Sequence, residues 1–220
     1  MDASLASAEV PRGRPARATR IGLTVAGLTV AFAAALGAHA LRPRKPLPVY
    51  GEVPSFDLLD EHGKPFGKTA MLGHTTVVDF VFTRCTSSCP RLTARMADLQ
   101  KRLEAARSGV RLVSFSVDPE NDTPPVLAQY ARTARADEGR WSFVTGPVDD
   151  VSRAVVLGFK VSAAKVATGA NDYEVTHGDW FVLVDAKGRI RGYYSTAQAE
   201  DFDAMVGDVL RLDRRDGDGR

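Results

Sequence analysis

Apolar and polar positions divide the chain into three parts. Residues 1–20 are small and polar and carry four arginines, so they cannot form a core. Residues 21–41 are uncharged throughout, and their number matches the roughly 20 residues that a helix needs to cross a bilayer. Residues 42–52 are rich in proline and basic side chains, which predicts an extended, semi-rigid linker. The remainder fits one domain, with residues 213–220 as a frayed, solvated tail.

Within the domain, the spacing of apolar residues changes between the periods of strands and helices. It predicts strands over residues 76–82, 110–117 and 141–144, and helices over residues 92–103, 126–136 and 148–157. Two hairpins are predicted, at residues 56–66 and 180–194, and a helix over residues 198–212 closes the chain. We expect Trp141 and Trp180 to fill the core. This order predicts a thioredoxin-like α/β fold with an added N-terminal hairpin and insertions, preceded by a single transmembrane helix.

The two cysteines of the chain, Cys85 and Cys89, directly follow the first predicted core strand, and Pro90 begins a helix behind them. Two thiols at this spacing can converge on one ion. The positive end of the helix favours thiolate over thiol, which both metal binding and redox chemistry need. The pattern therefore indicates either a dithiol redox centre or half of a site for a soft metal.

Among the four histidines, His177 has the most suggestive position, just before the predicted strand at residues 180–184. In a thioredoxin-like sheet, the loop that enters this strand packs against the cysteine loop. Two thiolates and one imidazole there form a three-ligand set that suits Cu(I), whereas zinc requires a fourth ligand. The alternative is that His177 is an ordinary surface-loop residue.

The net charge of +2 is small, and the basic residues gather beside the apolar segment. The sequence therefore does not indicate a basic surface that binds nucleic acid. The apolar segment is either a membrane anchor or a cleaved signal peptide, since residues 38–40 fit a cleavage pattern. Its length favours the anchor. Outside the cytosol, a dithiol can be oxidised and used in redox chemistry. We therefore expect a single-pass inner-membrane protein with a cytoplasmic tail at residues 1–20 and its domain in the periplasm.

Three separated blocks, FTRCTSSCPRL, VSFSVDPENDTP and VTHGDWFVLVDAKGRIRGYY, resemble the SCO/SenC family of membrane-anchored copper chaperones. The resemblance covers residues 53–212, which we take as the domain, and the anchor. It implies that Cys85, Cys89 and His177 bind copper as Cu(I), with Cu(II) left open. Asp118 and Pro119 match the family's Val-Asp-Pro block and are expected to have a structural or supporting role.

The resemblance also implies partners. It predicts delivery of Cu(I) to cytochrome c oxidase subunit II, or maturation of its CuA site, with another copper-receiving protein as an alternative acceptor. A thiol-disulfide reductant is expected to keep the cysteines reduced. The chain departs from the family pattern at residues 86–88, which lack a frequent carboxylate, and at residues 178–179, which lack a frequent serine. The missing carboxylate bears on a redox or Cu(II) role, and the missing serine on how the ring of His177 is oriented.

Three other functions compete with a non-enzymatic metallochaperone. A thiol-disulfide oxidoreductase could reduce the cysteines of a copper-receiving protein, although thioredoxins have two residues between their cysteines and this chain has three. A peroxiredoxin-like peroxidase requires a proline and a threonine where the chain has Val78 and Phe82. A structural disulfide between cysteines so close in sequence would gain little loop entropy.

Overall fold

The computed structural model describes residues 45–85, 88–161, 163–167, 173–177, 180–195 and 198–218. The predicted membrane anchor at residues 21–41 lies outside these residues. None of the helices in the described ranges is both long enough and apolar enough to cross a bilayer. The folded domain belongs to the compact unit Leu47–Arg220.

Within the described ranges, eight strands form one mixed sheet in the order β1-β10-β9-β4-β5-β6-β2-β3. Strands β4, β5 and β6 run parallel to one another, and the other neighbours pair antiparallel. A separate hairpin contains β7 and β8. The strands are β1 (Gly51–Glu52), β2 (Asp57–Asp60), β3 (Pro65–Gly67), β4 (Thr76–Val81), β5 (Arg111–Ser116), β6 (Trp141–Thr145), β7 (Ala163–Ala167), β8 (Tyr173–His177), β9 (Trp180–Val184) and β10 (Arg189–Ser195).

Four α-helices are described: α1 (Cys89–Ala105), α2 (Pro124–Ala134), α3 (Val148–Ser152) and α4 (Ala199–Asp218). Prolines occupy the first turns of α1 and α2, where a missing backbone N–H costs no hydrogen bond. The apolar side chains of α1 recur every three or four residues and are buried, which places one face of the helix in the core. A 3-10 turn occupies Lys68–Ala70, and a π-helical turn, Arg153–Gly158, follows α3.

Aromatic side chains fill much of the core. Phe80, Phe115 and Phe159 contact one another with ring centroids 5.0–6.1 Å apart. Trp141 is fully buried, as predicted, but the prediction for Trp180 is wrong because 41% of this residue is exposed. Trp180 is the first residue of β9, and the pairing of β9 with β4 begins only at Val182.

Most predicted elements are confirmed, with shifted ends, and four features differ. Strands β1, β7 and β8 were not predicted. The helix predicted over residues 148–157 is α3 followed by the π-helical turn. Helix α4 continues to Asp218, through the region predicted as a tail, because Asp213 and Asp216 accept hydrogen bonds from Ser108 and Thr75. The end of the predicted linker is also structured, since β1 pairs with β10.

Candidate metal centre

Three segments of interest meet at one edge of the sheet. Strands β4 and β5 are parallel, so their carboxyl ends and the loops that follow them lie together. Strand β9 is antiparallel to β4, with Val182 opposite Val78, so β9 begins at the edge where β4 ends. Cys85 lies in the loop after β4, and His177 comes three residues before the start of β9. We call this edge the cysteine edge.

The two sulfurs lie together at the start of α1. Cys89 is the first residue of the helix, and its backbone N–H donates a hydrogen bond to Cys85 Sγ at 3.3 Å. The backbone N–H of Cys85 donates to the carbonyl of Phe82 at 3.2 Å, which closes the turn after β4. No disulfide joins these two cysteines. Cys85 is half-buried and Cys89 is fully buried, so the two sulfurs differ in access to solvent.

Burial raises the pKa of the Cys89 thiol, and the hydrogen bond with Cys85 and the charges of Cys85 and Asp79 raise it further. The sequence led us to expect that the helix N-terminus would favour the thiolate at both positions. At Cys89, burial outweighs that effect in the metal-free protein. A bound cation reverses this electrostatic balance because it stabilises the deprotonated sulfur.

Asp79, in the middle of β4, is a second unusual group. It is fully buried, and neither carboxylate oxygen has a hydrogen-bond partner among the described residues. Burial raises the pKa of Asp79 to about 7, and the nearby Ser114 hydroxyl lowers it only in part. That hydroxyl accepts a hydrogen bond from Trp141 Nε1 at 2.8 Å. An acid within an apolar strand was visible in the sequence, and sequence reasoning did not use it.

A cavity of about 410 Å³ opens beside the cysteines, and Cys85 forms part of its wall. Tyr130 and Thr93 both line this cavity. Their hydroxyls lie 2.7 Å apart, and this hydrogen bond links α2 to α1. Burial raises the pKa of Tyr130 to about 12, and the charges of Cys89 and Asp79 add to the shift. The other lining residues are small or uncharged, so the cavity gives an uncharged approach to Cys85.

The third predicted ligand is only partly defined. His177 is the last residue of β8, where its backbone pairs with Ala163, and its side chain lies outside what the structure describes. Among the described side chains, no group of three or more histidine, cysteine, aspartate or glutamate residues could hold a metal ion. The structure therefore brings Cys85 and Cys89 together and leaves the contribution of His177 as a prediction.

The chain is similar to proteins of one known family. The sequence model of the SCO1/SenC family matches residues 47–212. The SCO1 protein homolog of Bacillus subtilis is 34% identical over 189 residues, which cover 86% of this chain and 94% of the homolog.

Two solved structures share the fold. BsSco, described as a member of the Sco family of cytochrome c oxidase assembly proteins with a disulfide switch, has a TM-score of 0.67 and 32% identity. That match covers 78% of this chain and 99% of BsSco. The Bradyrhizobium japonicum ScoI structure with copper bound has a TM-score of 0.64 and 23% identity, covers 73% of this chain and 99% of ScoI, and supports the fold alone. The thioredoxin-like fold is thus confirmed, and the chain belongs to the SCO1/SenC family.

Proposed function

We propose that this chain is a membrane-anchored, periplasmic copper-binding protein that delivers Cu(I) to cytochrome c oxidase subunit II or matures its CuA site. The observation that carries the proposal is the placement of both cysteines at the start of α1, where the backbone N–H of Cys89 donates a 3.3 Å hydrogen bond to Cys85 Sγ. Family membership supports it, since BsSco is described as a member of the Sco family of cytochrome c oxidase assembly proteins.

In this proposal, Cys85 and Cys89 supply two thiolates and His177 supplies an imidazole nitrogen. Soft thiolates select Cu(I) among the available metals. The ligands must lose protons to bind, and the raised pKa of Cys89 makes that loss costly, so copper binding weakens as the pH falls. A disulfide cannot supply thiolates, and a thiol-disulfide reductant is therefore the second partner of the site.

The proposed location rests on the sequence. The uncharged stretch at residues 21–41 has the length of a membrane span, with residues 1–20 on the cytoplasmic side. Disulfides form and persist more readily in an oxidising compartment, which supports a periplasmic location for a domain whose dithiol is to be oxidised.

A second function deserves the same test, because one feature favours it. Cys85 lines an open cavity while Cys89 is fully buried, as expected for a pair in which an accessible thiol attacks a partner disulfide and a buried thiol resolves it. The chain would then reduce the cysteines of a copper-receiving protein. Dithiol exchange needs only the cysteines, whereas copper carriage also needs His177.

The two functions are separated by copper titration of the full chain, purified in detergent and reduced under argon. A chromophoric chelator competes for Cu(I). We expect one Cu(I) per chain, loss of binding in Cys85→Ser and in Cys89→Ser, and at least about tenfold weaker binding in His177→Ala, because each change removes one of three ligands. His62→Ala is the matched control, since His62 lies in the turn between β2 and β3.

Full copper retention in a variant that carries both Cys85→Ser and Cys89→Ser would overturn the copper site. Wild-type affinity in His177→Ala would remove His177 from the ligand set. If His177→Ala loses copper but still restores oxidase assembly in a deletion strain, dithiol exchange becomes the function that the cell requires.

A further inference from the structure

The loop after β5 contains a buried carboxylate whose hydrogen bonds go to the neighbouring cysteine loop. Asp122 is fully buried. It accepts hydrogen bonds from the Thr83 hydroxyl at 2.6 Å and from the Thr83 backbone N–H at 3.1 Å. It also accepts one from the Ser116 hydroxyl at 2.7 Å, at the end of β5. One carboxylate therefore ties the end of β5 to the residue two positions before Cys85.

Asp122 does not perform the role that its position in sequence suggests. It stands directly before the N-cap residue Thr123, one position from where an acidic side chain ordinarily caps a helix. The N-cap residue of α2, Thr123, makes no side-chain capping bond, and the carboxylate of Asp122 accepts from Thr83 and Ser116 instead. Helix α2 begins with two prolines, which have no backbone N–H to cap. The carboxylate is thus left to bind the cysteine loop.

The same loop makes a second connection. The carboxylate of Asp118, also fully buried, accepts a hydrogen bond from the exposed Arg84 guanidinium at 3.1 Å. Its carbonyl accepts the backbone N–H groups of Asn121 and Asp122, and its own N–H donates to the Ser116 hydroxyl. The loop is thus held by its own hydrogen bonds as well as by those to the cysteine loop. The two residues that precede Cys85 are each held by one of its carboxylates.

We propose that Asp122 is a positioning residue that, through Thr83, holds Cys85 at the distance from Cys89 needed to bind copper and to form the disulfide. The inference rests on the proposed copper function and deepens it. A ligand fixed by a neighbouring hydrogen bond loses less conformational freedom when the metal binds, and loss of such a bond typically weakens metal binding by about 10–100-fold. Asp122 touches neither metal nor sulfur in this account, and it acts only by placing the loop.

The central variant is Thr83→Val, which keeps the branched shape and the backbone N–H and removes only the hydroxyl. Thr75→Val is the matched control, because Thr75 is fully buried and its hydroxyl donates to Asp216 Oδ2 at 2.7 Å, at the opposite end of β4. Thr83→Ser restores a hydroxyl. Asp122→Asn keeps the shape of the acceptor and removes its charge.

Two quantities are measured on the full chain in detergent: the Cu(I) dissociation constant, by chelator competition, and the potential of the Cys85–Cys89 couple in dithiothreitol buffers. In that couple, the disulfide takes up two electrons and two protons from dithiothreitol and becomes two thiols. A loosened Cys85 meets Cys89 less often, so the disulfide becomes less favourable. We expect Thr83→Val to weaken Cu(I) binding about tenfold and to raise the potential by about 30 mV, the equivalent of tenfold in equilibrium constant.

Asp122→Asn should shift both quantities in the same direction, while Thr83→Ser and Thr75→Val should match the wild type. Unchanged values in Thr83→Val, or equal shifts in Thr75→Val, would overturn the positioning role. If the wild-type chain binds no Cu(I), the proposed function fails by itself. The potential then still decides whether Asp122 positions Cys85.

Discussion

Asp79 and Asp185 are both fully buried, yet they differ in their position in the sheet and in their hydrogen-bond partners. Asp79 lies in β4 near the cysteine edge, with neither oxygen hydrogen-bonded among the described residues. Asp185 follows β9, whose last residue, Val184, is opposite Thr76 at the start of β4. The comparison shows what hydrogen-bond donors and positive charges do for a carboxylate that is shielded from solvent.

Both carboxylate oxygens of Asp185 accept hydrogen bonds. Its Oδ2 accepts from Arg191 Nη1 at 2.8 Å and from Arg189 Nε at 2.8 Å, and its Oδ1 accepts from the backbone N–H groups of Lys187 and Arg189. Burial is the largest single influence and raises its pKa, but the hydrogen bonds and charges of the two arginines together hold the pKa below its ordinary value. Arg191 also donates to the carbonyls of Leu47 and Pro48, so this cluster attaches the start of the domain to the sheet.

Asp79 has no such compensation, and burial raises its pKa to about 7. A buried carboxylate with full partners stabilises the fold in its charged form, whereas one without partners destabilises the fold whenever it is charged. At the end of the sheet opposite the cysteines, the charged form of Asp185 therefore stabilises the fold. Near the cysteine edge, the charged form of Asp79 destabilises it.

The largest expected effect comes from Asp79→Asn. The pKa of Asp79 is about 7 in the folded chain and 3.8 ordinarily, so the folded state keeps its proton to higher pH. The contribution of Asp79 to stability is highest below pH 3.8 and falls as the pH rises to 7, by about 4 kcal/mol in total at about 1.4 kcal/mol per pKa unit. Urea unfolding should show Asp79→Asn close to the wild type at pH 4 and more stable by up to about 4 kcal/mol at pH 8.

The control for this measurement is Asp57→Asn, because Asp57 is exposed in β2. It should follow the wild-type curve at both pH values. If the difference in unfolding free energy between Asp79→Asn and the wild type is the same at pH 4 and at pH 8, the raised pKa of Asp79 is overturned.

Asp185→Asn should have the opposite sign and a somewhat smaller size. Removal of the charge leaves two arginines without their carboxylate, and loss of one partner from a buried ion pair costs about 3 kcal/mol. Because the pKa of Asp185 is lowered by folding, its contribution is present above its ordinary pKa and disappears as the pH falls through the folded value. Urea unfolding at pH 7 and pH 3 should therefore show a large loss that shrinks in acid; a loss equal at both would mean that packing, not charge, is responsible.

Some elements of the fold could be predicted from the sequence, and others could not. Buried strands such as β4 and β5 were predicted within a residue or two because their apolar runs are continuous. Strand β7 was missed because Ala-Ala-Lys-Val-Ala has little strand propensity, and its pairing with β8 comes from chain geometry. The extension of α4 was missed because its last turns look like a charged tail in the sequence. They pack against the domain through tertiary contacts such as the hydrogen bond from Thr75 to Asp216.

At the candidate site, spacing and the following proline were enough to bring Cys85 and Cys89 together. The supporting residues were harder to predict. Asp79 is recognisable as an acid in an apolar strand, but its lack of partners depends on neighbours distant in sequence. The link from Asp122 to Thr83 crosses 39 residues, and the local sequence of Asp122 suggests a helix cap.

The smallest expected effect concerns the two thiols at the cysteine edge, of which Cys85 is half-buried and Cys89 is fully buried. Burial raises the pKa of Cys89, and the charge of Asp79 adds to the shift, so Cys89 has little thiolate. With iodoacetamide at pH 8, mass spectrometry of the reduced, metal-free chain should show Cys85 alkylated at least about tenfold faster than Cys89. Because burial is the main cause, Asp79→Asn should narrow this ratio only about twofold, and Asp185→Asn, at the far edge, should leave it unchanged. Equal rates for the two cysteines in the wild type would mean that the start of α1 opens to solvent, and that burial does not govern the reactivity of Cys89.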